Sequence, residues 1–422
     1  MTTSDKVYNE AFVWIWLPEE TEPVVAGKLE VIEGKILFNY GKSYLERVND
    51  AQPAIPIYEP ELPLKSGSLP LIDGLTMPSC IRDAAPDAWG RRVIINKHYG
   101  FRKINVDVDE LSEMSYLLDS GSDRIGALDF QLSPTVYESR SGNHATLDEL
   151  LESAERVENG VELNEELDKA LIQGSAIGGA RPKALVDGEG VKYIAKFSLS
   201  TDLHNVVKAE YVAMRLAKIV GLNVAPVKLV KALGKDVLLI ERFDRNRVGT
   251  NWTRRSMVSA LTMFGLDEMM ARYASYEHLA EIIRHKFYEP KDTLREVFSR
   301  LVFNILCGNT DDHARNHAAF CDEKRLSITP AYDICPQERA GNEATQAMLI
   351  DNGNRFSQLN VCLLTANNFL LNEAEARDIF DHQRVVIEDN WEALCDEAEM
   401  VTADRNRLWR RAFLNPFSFE GL

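Results

Sequence analysis

The chain has 422 residues, of which 45% are apolar and 27% charged, with a formal net charge of −17 at pH 7. At about 150 residues per domain this length suits two or three domains with sizeable cores. The acidic balance argues against a chain that grips nucleic acid by itself, since phosphate contacts need a positive stripe, and no segment approaches the roughly 20 apolar residues of a membrane helix.

The amino terminus, "MTTSDKVYNE", lacks a basic region followed by an apolar run, so a cytoplasmic protein that makes no membrane contact is expected. Six cysteines at 80, 307, 321, 335, 362 and 395 lie apart, without a C-x-x-C pair and in apolar settings such as "NILCG". They read as buried thiols of a reducing compartment rather than a disulfide framework or a zinc ribbon.

"AFVWIWL" and "VVAGKLEVIEGKILFNY" read as strands, the second stretch splitting at Glu33-Gly34 into a hairpin. "AQPAIPIYEPELPLKSGSLP" is dense in proline and predicts an extended surface loop. "APDAWGRRVIINKHYG" predicts a helix that starts at Pro86 and Asp87 and stops at Gly100. A charged helix is expected over 147–170, followed by glycine-rich "IQGSAIGGARPKALV", the strand "KYIAKFS", and the helix "NVVKAEYVAMRLAKIVGL" stopped by Gly221. Strands "APVKLVKAL" and "DVLLIERF" follow, and from residue 256 the pattern is mostly helical. The division expected is 1–145, a β-rich part with helix; 146–245, carrying the Gly-rich loop; and 246–422, a helical part carrying "GNTDDHARNHAAF". A β-rich lobe before a helical lobe is an α+β, bilobal arrangement that places a ligand in the cleft.

Asp311 and Asn316 fit the D-x-x-x-x-N spacing of a catalytic base and a metal-binding amide, and Asp312 does not. Asp333 follows a turn at "CDEK" flanked by apolar runs, so a hairpin can return it beside Asn316. Hard oxygen ligands there suit Mg²⁺ on phosphates, while a carboxylate orients the attacking hydroxyl. Turn formation is the plain alternative for Asn316 and Asp333. Period-two alternation puts Lys192, Ile194 and Lys196 on one face of their strand, so Lys196 stands where a phosphate-pairing lysine of the V-A-I-K kind would stand. Its expected partner is Glu210, on a helical stripe with Val206, Val207, Ala213, Met214 and Ala217. "GSAIGGARPKA" offers flexible backbone for an anion, although it matches neither standard phosphate-loop pattern. Glu241, Arg242 and Phe243 end a strand where backbone groups can meet an adenine edge. His313 and His317 at i, i+4 are an alternative zinc pair with Asp311 or Asp312, but no H-E-x-x-H is present. A capping box, Thr293-x-x-Glu296, is expected to open the helix that leads into the loop.

Taken together, "GGARPKA", "YIAKF", "AEYVAMRLAKIVGLNVAP", "LLIERFDR", "NTDDHARNHAAF" and "TPAYDICP" resemble the HipA family of serine/threonine kinases, toxins of type II toxin–antitoxin modules. "GKILFNYGKSYL" and "AAPDAWGRR" resemble its amino-terminal subdomain. The resemblance implies an α+β, bilobal, protein-kinase-like fold, ATP and Mg²⁺ as cofactors, Asp311 as catalytic base, Asn316 and Asp333 as Mg²⁺ ligands and Lys196 as the phosphate-binding lysine. It further implies a phosphate loop of Ile177, Gly178, Gly179, Ala180, Arg181 and Lys183, with a hinge at Glu241, Arg242 and Phe243. His313, Arg315, Asn316, Tyr332 and Asp333 would flank the nucleotide. Family members autophosphorylate a loop serine, matched here by Ser175, at a spacing from the loop lysine one residue longer than the family pattern. The implied partners are a HipB-like helix-turn-helix antitoxin, through which DNA is reached only indirectly, and a protein substrate such as an aminoacyl-tRNA synthetase. A small-molecule kinase of the antibiotic phosphotransferase kind and a non-catalytic kinase-like repressor subunit are the competing readings.

Overall fold

The computed structural model describes residues 8–99, 111–140, 145–159, 161, 170–188, 190–199, 202, 204–337, 339 and 341–422. The chain forms two compact units, one of Met1–Leu199, Lys231–Lys235 and Glu241–Val258, the other of Ser200–Val230, Asp236–Ile240 and Ser259–Leu422.

In the first unit, β1 (Glu10–Ile15), β2 (Val24–Ile32), β3 (Lys35–Tyr40) and β4 (Leu128–Gln131) form a sheet in the order β3-β2-β1-β4. The β2–β3 hairpin turns at Glu33-Gly34 as expected, with Ile32 opposite Lys35 and positive φ at both turn residues, 51° and 76°. Two consecutive left-handed residues match the twist of the flanking strands, and glycine takes the second at no steric cost. Ala11, Val13 and Ile15 of β1 are wholly buried.

The proline-dense stretch after β3 is a correction to the surface loop expected there. It is irregular, but Ile57, Tyr58, Glu61, Leu62 and Leu69 are buried. Proline withholds backbone donors, so the segment is satisfied by side chains: the Tyr40 hydroxyl donates to Leu62 O at 2.7 Å and accepts from Ile57 N at 2.9 Å. The Glu61 carboxylate accepts from the amides of Ser79 and Cys80, at 2.6 and 3.0 Å. Helix α1 (Ala88–Tyr99) starts just after Pro86 and Asp87; Gly100, its expected stop, lies outside the described residues. Helix α2 (Leu147–Glu158) has a capping box of Thr146 and Glu149 and ends with Asn159 as C-cap. Most of the continuation expected toward residue 170 lies outside the described residues. β5 (Lys183–Asp187) and β6 (Lys192–Phe197) close an antiparallel hairpin.

In the second unit, α3 (Val206–Ile219) is capped by the Asn205 side chain and stops before Gly221, whose φ is 94°. Its stripe of Val206, Val207, Glu210, Ala213, Met214 and Ala217 is buried. Strands β7 (Val227–Ala232) and β8 (Lys235–Glu241) follow. Helix α4 (Tyr276–Lys286) packs on α5 (Pro290–Cys307), which also packs on α6 (Glu373–Glu397), and α6 packs on α3. Leu294, Val297, Phe298, Leu301 and Ile305 of α5 are wholly buried, as their spacing predicted.

The capping box at Thr293 does not form. α5 starts earlier, at Pro290, whose fixed φ suits the first helical position, and Thr293 lies buried inside the helix. Glu296 is instead engaged by Arg300 Nε at 2.7 Å and by the Asn223 amide at 3.1 Å. All six cysteines are buried free thiols. Among the described residues no helix is long and apolar enough to cross a membrane.

Candidate active site

Two groups of residues carry the expected chemistry, one in each unit. In the first unit the glycine-rich segment precedes β5. Gly179 has φ of 106°, which an L side chain rarely adopts, and its N–H donates to Asp87 Oδ2 at 2.6 Å. Lys183, almost fully buried, turns its Nζ to the Gly178 carbonyl. The Trp89 indole donates to Lys183 O at 3.0 Å, and Trp89 N donates to Gly179 O at 3.3 Å. The segment is therefore gripped by "APDAW" at the head of α1. Ile177 is buried, Arg181 half-buried, and Gly178 and Ala180 exposed.

Ser175 is wholly buried. Its hydroxyl donates to Ile172 O at 2.6 Å and accepts from Gly121 N at 3.2 Å. In the β5–β6 register Lys183 lies directly opposite Lys196, which places two buried lysines on one face. Lys192, on the same face, donates to Asp123 and Asp187, both at 2.9 Å.

At the end of β8, Glu241 and Phe243 are half-buried and Arg242 is buried. The Arg242 amide donates to Lys192 O at 2.8 Å, and its guanidinium joins a network that sequence spacing did not reveal. It donates to Asp244 at 3.0 and 2.8 Å and to Asp123 Oδ1 at 3.0 Å, while Arg245 donates to Asp244 at 2.8 Å and to Asp123 at 2.9 Å. Burial alone would raise the Asp123 and Asp244 carboxyls, but Arg242 and Arg245 hold both below the ordinary value. Burial and the Arg242 charge bring Arg245 down to about 10. The side chain of Arg242 thus serves the frame of this unit.

In the second unit α5 delivers the loop. Gly308 caps the helix in the left-handed conformation with φ of 76°. Asn309 donates to Asn304 Oδ1 at 3.0 Å. Asp312 is buried: it accepts from the Tyr276 hydroxyl and pairs with His317 Nε2 at 3.0 Å. Burial would raise its carboxyl, yet the His317 ring and the hydrogen bonds hold it below the ordinary value.

Asp312 is anchored this way, while its neighbour Asp311 is exposed. The Asp311 carbonyl accepts from His313 N at 2.8 Å and from Asn316 Nδ2 at 3.2 Å. Reduced hydration raises the Asp311 carboxyl, and the Asp333 and Asp312 charges push it the same way against His313. Arg315 pairs with Glu268 at 2.6 Å.

The expected hairpin returns Asp333. Strand Ala318–Phe320 pairs with Ser327–Ile328, and the Tyr332 hydroxyl donates to Arg315 O at 2.7 Å. Asp333 itself sits at φ of 58°, a positive value uncommon for a residue other than glycine. The segment Ala314–Asn316 is a single 3₁₀ turn, so the α-helical i, i+4 face needed by a His313–His317 zinc pair is not formed.

The donor chemistry fits a hard cation. Asn316 spends its Nδ2 on the Asp311 carbonyl, which leaves its oxygen as a ligand, and Asp333 adds a carboxylate whose like charge raises the Asp311 carboxyl. Among the described residues no group of three or more His, Cys, Asp or Glu could hold a metal. One amide and one carboxylate still suit Mg²⁺, which keeps waters and takes phosphate oxygens as its other ligands.

Profiles of known families recognise most of the chain: the HipA-like C-terminal domain matches residues 175–391, and the HipA N-terminal domain residues 16–131. The chain belongs to the HipA family. Serine/threonine-protein kinase toxin HipA of Shewanella oneidensis is 28% identical over 178 residues, 38% of this chain and 40% of that protein. Y4mE of Sinorhizobium fredii, named as a kinase, is 27% identical over 154 residues, 35% of this chain and 36% of that protein. This chain thus spans well under half the length of these two relatives. The solved HipA of Shewanella oneidensis MR-1, in complex with HipB and operator DNA, superposes with a TM-score of 0.65 over 96% of this chain and 99% of that one, at 18% identity. The fold is that of HipA, α+β and kinase-like.

Proposed function

We propose that this HipA-family chain is an ATP- and Mg²⁺-dependent protein serine/threonine kinase, the toxin of a HipA/HipB-like pair. The observation that carries the reading is the convergence of Asp311, Asn316 and Asp333 on one loop cluster, in the chain order phosphoryl transfer uses. Asp311 orients the substrate hydroxyl and accepts its proton; its raised pKa brings a carboxylate closer to a working base. Asn316 and Asp333 would hold Mg²⁺, which would neutralise charge on the phosphates. Lys183 and Lys196 serve the phosphates as cations, with Ile177, Gly178, Gly179, Ala180 and Arg181 as loop backbone. Glu241, Arg242 and Phe243 serve the adenine, and His313, Arg315 and Tyr332 shape the nucleotide site. Glu210, buried on an apolar stripe, is the carboxylate this reading assigns to Lys196.

The family kinship and the HipB in the related complex support a helix-turn-helix antitoxin partner, through which DNA is reached. A net charge of −17 suits such a basic partner. A translation protein such as an aminoacyl-tRNA synthetase is the substrate class, and the cytoplasm the setting. Purified chain incubated with Mg²⁺ and ATP should phosphorylate itself on Ser175, read by peptide mass spectrometry. A chain that consumes no ATP with Mg²⁺ present, in an extract of its own host, contradicts the kinase assignment.

A further inference from the structure

The stretch "APDAW" heads α1 within the HipA N-terminal domain, whereas the loop it grips lies in the C-terminal one. Its contacts are specific. Asp87 Oδ2 takes the Gly179 N–H at 2.6 Å, and a Cβ on Gly178 would stand 3.0 Å from the same oxygen. Trp89 bonds Gly179 O and Lys183 O, and a Cβ on Gly90 would run into the Ser175 carbonyl. Lys183 is turned to the carbonyl of Gly178. A carboxylate and an ammonium of the chain itself therefore already engage the backbone of this loop.

We infer that Asp87 sets the nucleotide affinity of the loop: its carboxylate occupies the Gly179 N–H that a nucleotide phosphate would take, so ATP binds by displacing it. The inference rests on the kinase reading above. A backbone amide has one hydrogen to give, so carboxylate and phosphate compete for it. A charge-assisted bond of this length is among the stronger ones a neutral donor makes, which gives the competition weight. Once displaced, the carboxylate remains a negative charge beside an incoming polyanion and opposes binding a second time. Gly178 and Gly179 are the positions where a bare backbone lets either anion approach. The HipA N-terminal domain thereby tunes nucleotide binding through a residue that transfers no proton and binds no metal.

The test titrates the full-length chain, by calorimetry, with Mg²⁺-loaded AMP-PNP and separately with adenosine, comparing Asp87→Asn, Asp87→Ala and Lys196→Met. Removing the charge is expected to lower the AMP-PNP Kd by roughly three- to tenfold in both Asp87 variants. The affinity for adenosine, which has no phosphate, stays unchanged. Equal or weaker AMP-PNP binding in folded Asp87 variants overturns the inference, as does an equal tightening of adenosine. Failure of both Asp87 variants to unfold cooperatively makes the residue a folding determinant and overturns it too. Wild-type chain that binds AMP-PNP, with no gain on losing Asp87, leaves the kinase reading standing; absence of nucleotide binding in every protein removes both.

Discussion

Lys183 and Lys196 face each other across the β5–β6 hairpin, both of them buried. Like charges directly opposite in a sheet are destabilising by up to about 1 kcal/mol, and burial adds to that cost. In the proposed kinase a nucleotide phosphate would supply counter-charge to both lysines. Lys196→Met, which would strand Glu210 in the proposed pair, is expected to lower the unfolding midpoint and to weaken AMP-PNP binding by at least about tenfold, or 1.4 kcal/mol. Differential scanning fluorimetry and calorimetry read the two quantities. A fall in stability with binding intact would make Lys196 a structural residue.

Ser175 has no room for a charge. Its hydroxyl is wholly buried between Ile172 O and Gly121 N, with Gly90 packed against its carbonyl. A phosphate could be accommodated only if the segment left this seat, since burying an unpaired charge is costly. Ser175→Glu should lower the unfolding midpoint and weaken nucleotide binding, whereas Ser175→Ala should lose only about 1 kcal/mol of stability and keep binding. Limited proteolysis near the loop should be faster for the Glu variant alone.

Asp244 gives the fold an acid-sensitive joint. Arg242 and Arg245 hold its carboxyl below the ordinary value despite burial, so the unfolded chain binds the proton more readily. The stabilisation is complete above the unfolded carboxylate pKa of about 3.9 and is lost as pH falls through the depressed folded value. Asp244→Asn leaves two buried arginines short of a counter-charge, and should cost about 3–5 kcal/mol at neutral pH. Urea unfolding from about pH 7 down to about pH 3 should show a shallower acid decline in the variant. Identical slopes would show that the joint does not titrate.

Beneath the loop that follows α5, Tyr276 and His317 both hold Asp312. Tyr276→Phe removes one bond to a buried carboxylate at constant ring packing and should cost about 1–3 kcal/mol. Asp312→Asn should cost more, because Asp312 is the shared partner of both groups. Phosphate transfer should fall in each variant with the KM for ATP unchanged, as steady-state kinetics would show. A rise in KM alone would place the network outside the positioning of Asp311.

Local patterns carry the placement of several residues: the strand face shared by Lys192 and Lys196 is a two-residue alternation, the buried stripe of Glu210 a helical period, and the turn before Asp333 a short hairpin, each a relation within a few residues of chain. Long-range pairs left no such trace. Arg242 reaches Asp123 across 119 residues and Gly179 reaches Asp87 across 92, and neither spacing obeys any helical or strand period. The proline-dense segment reads as surface because its turn chemistry masks the buried Tyr58 and Leu62. The Thr293 capping box lost to Pro290, a stronger helix start placed three residues earlier.

The most direct measurement uses wild-type chain and Asp311→Gln, each incubated with γ-labelled ATP, Mg²⁺ and an extract of host cells. Wild type should place label on protein, and Asp311→Gln should place none while still binding ATP, a loss of at least about a hundredfold for a missing base. Label that appears on a small molecule, or equally on protein with either chain, would contradict the account.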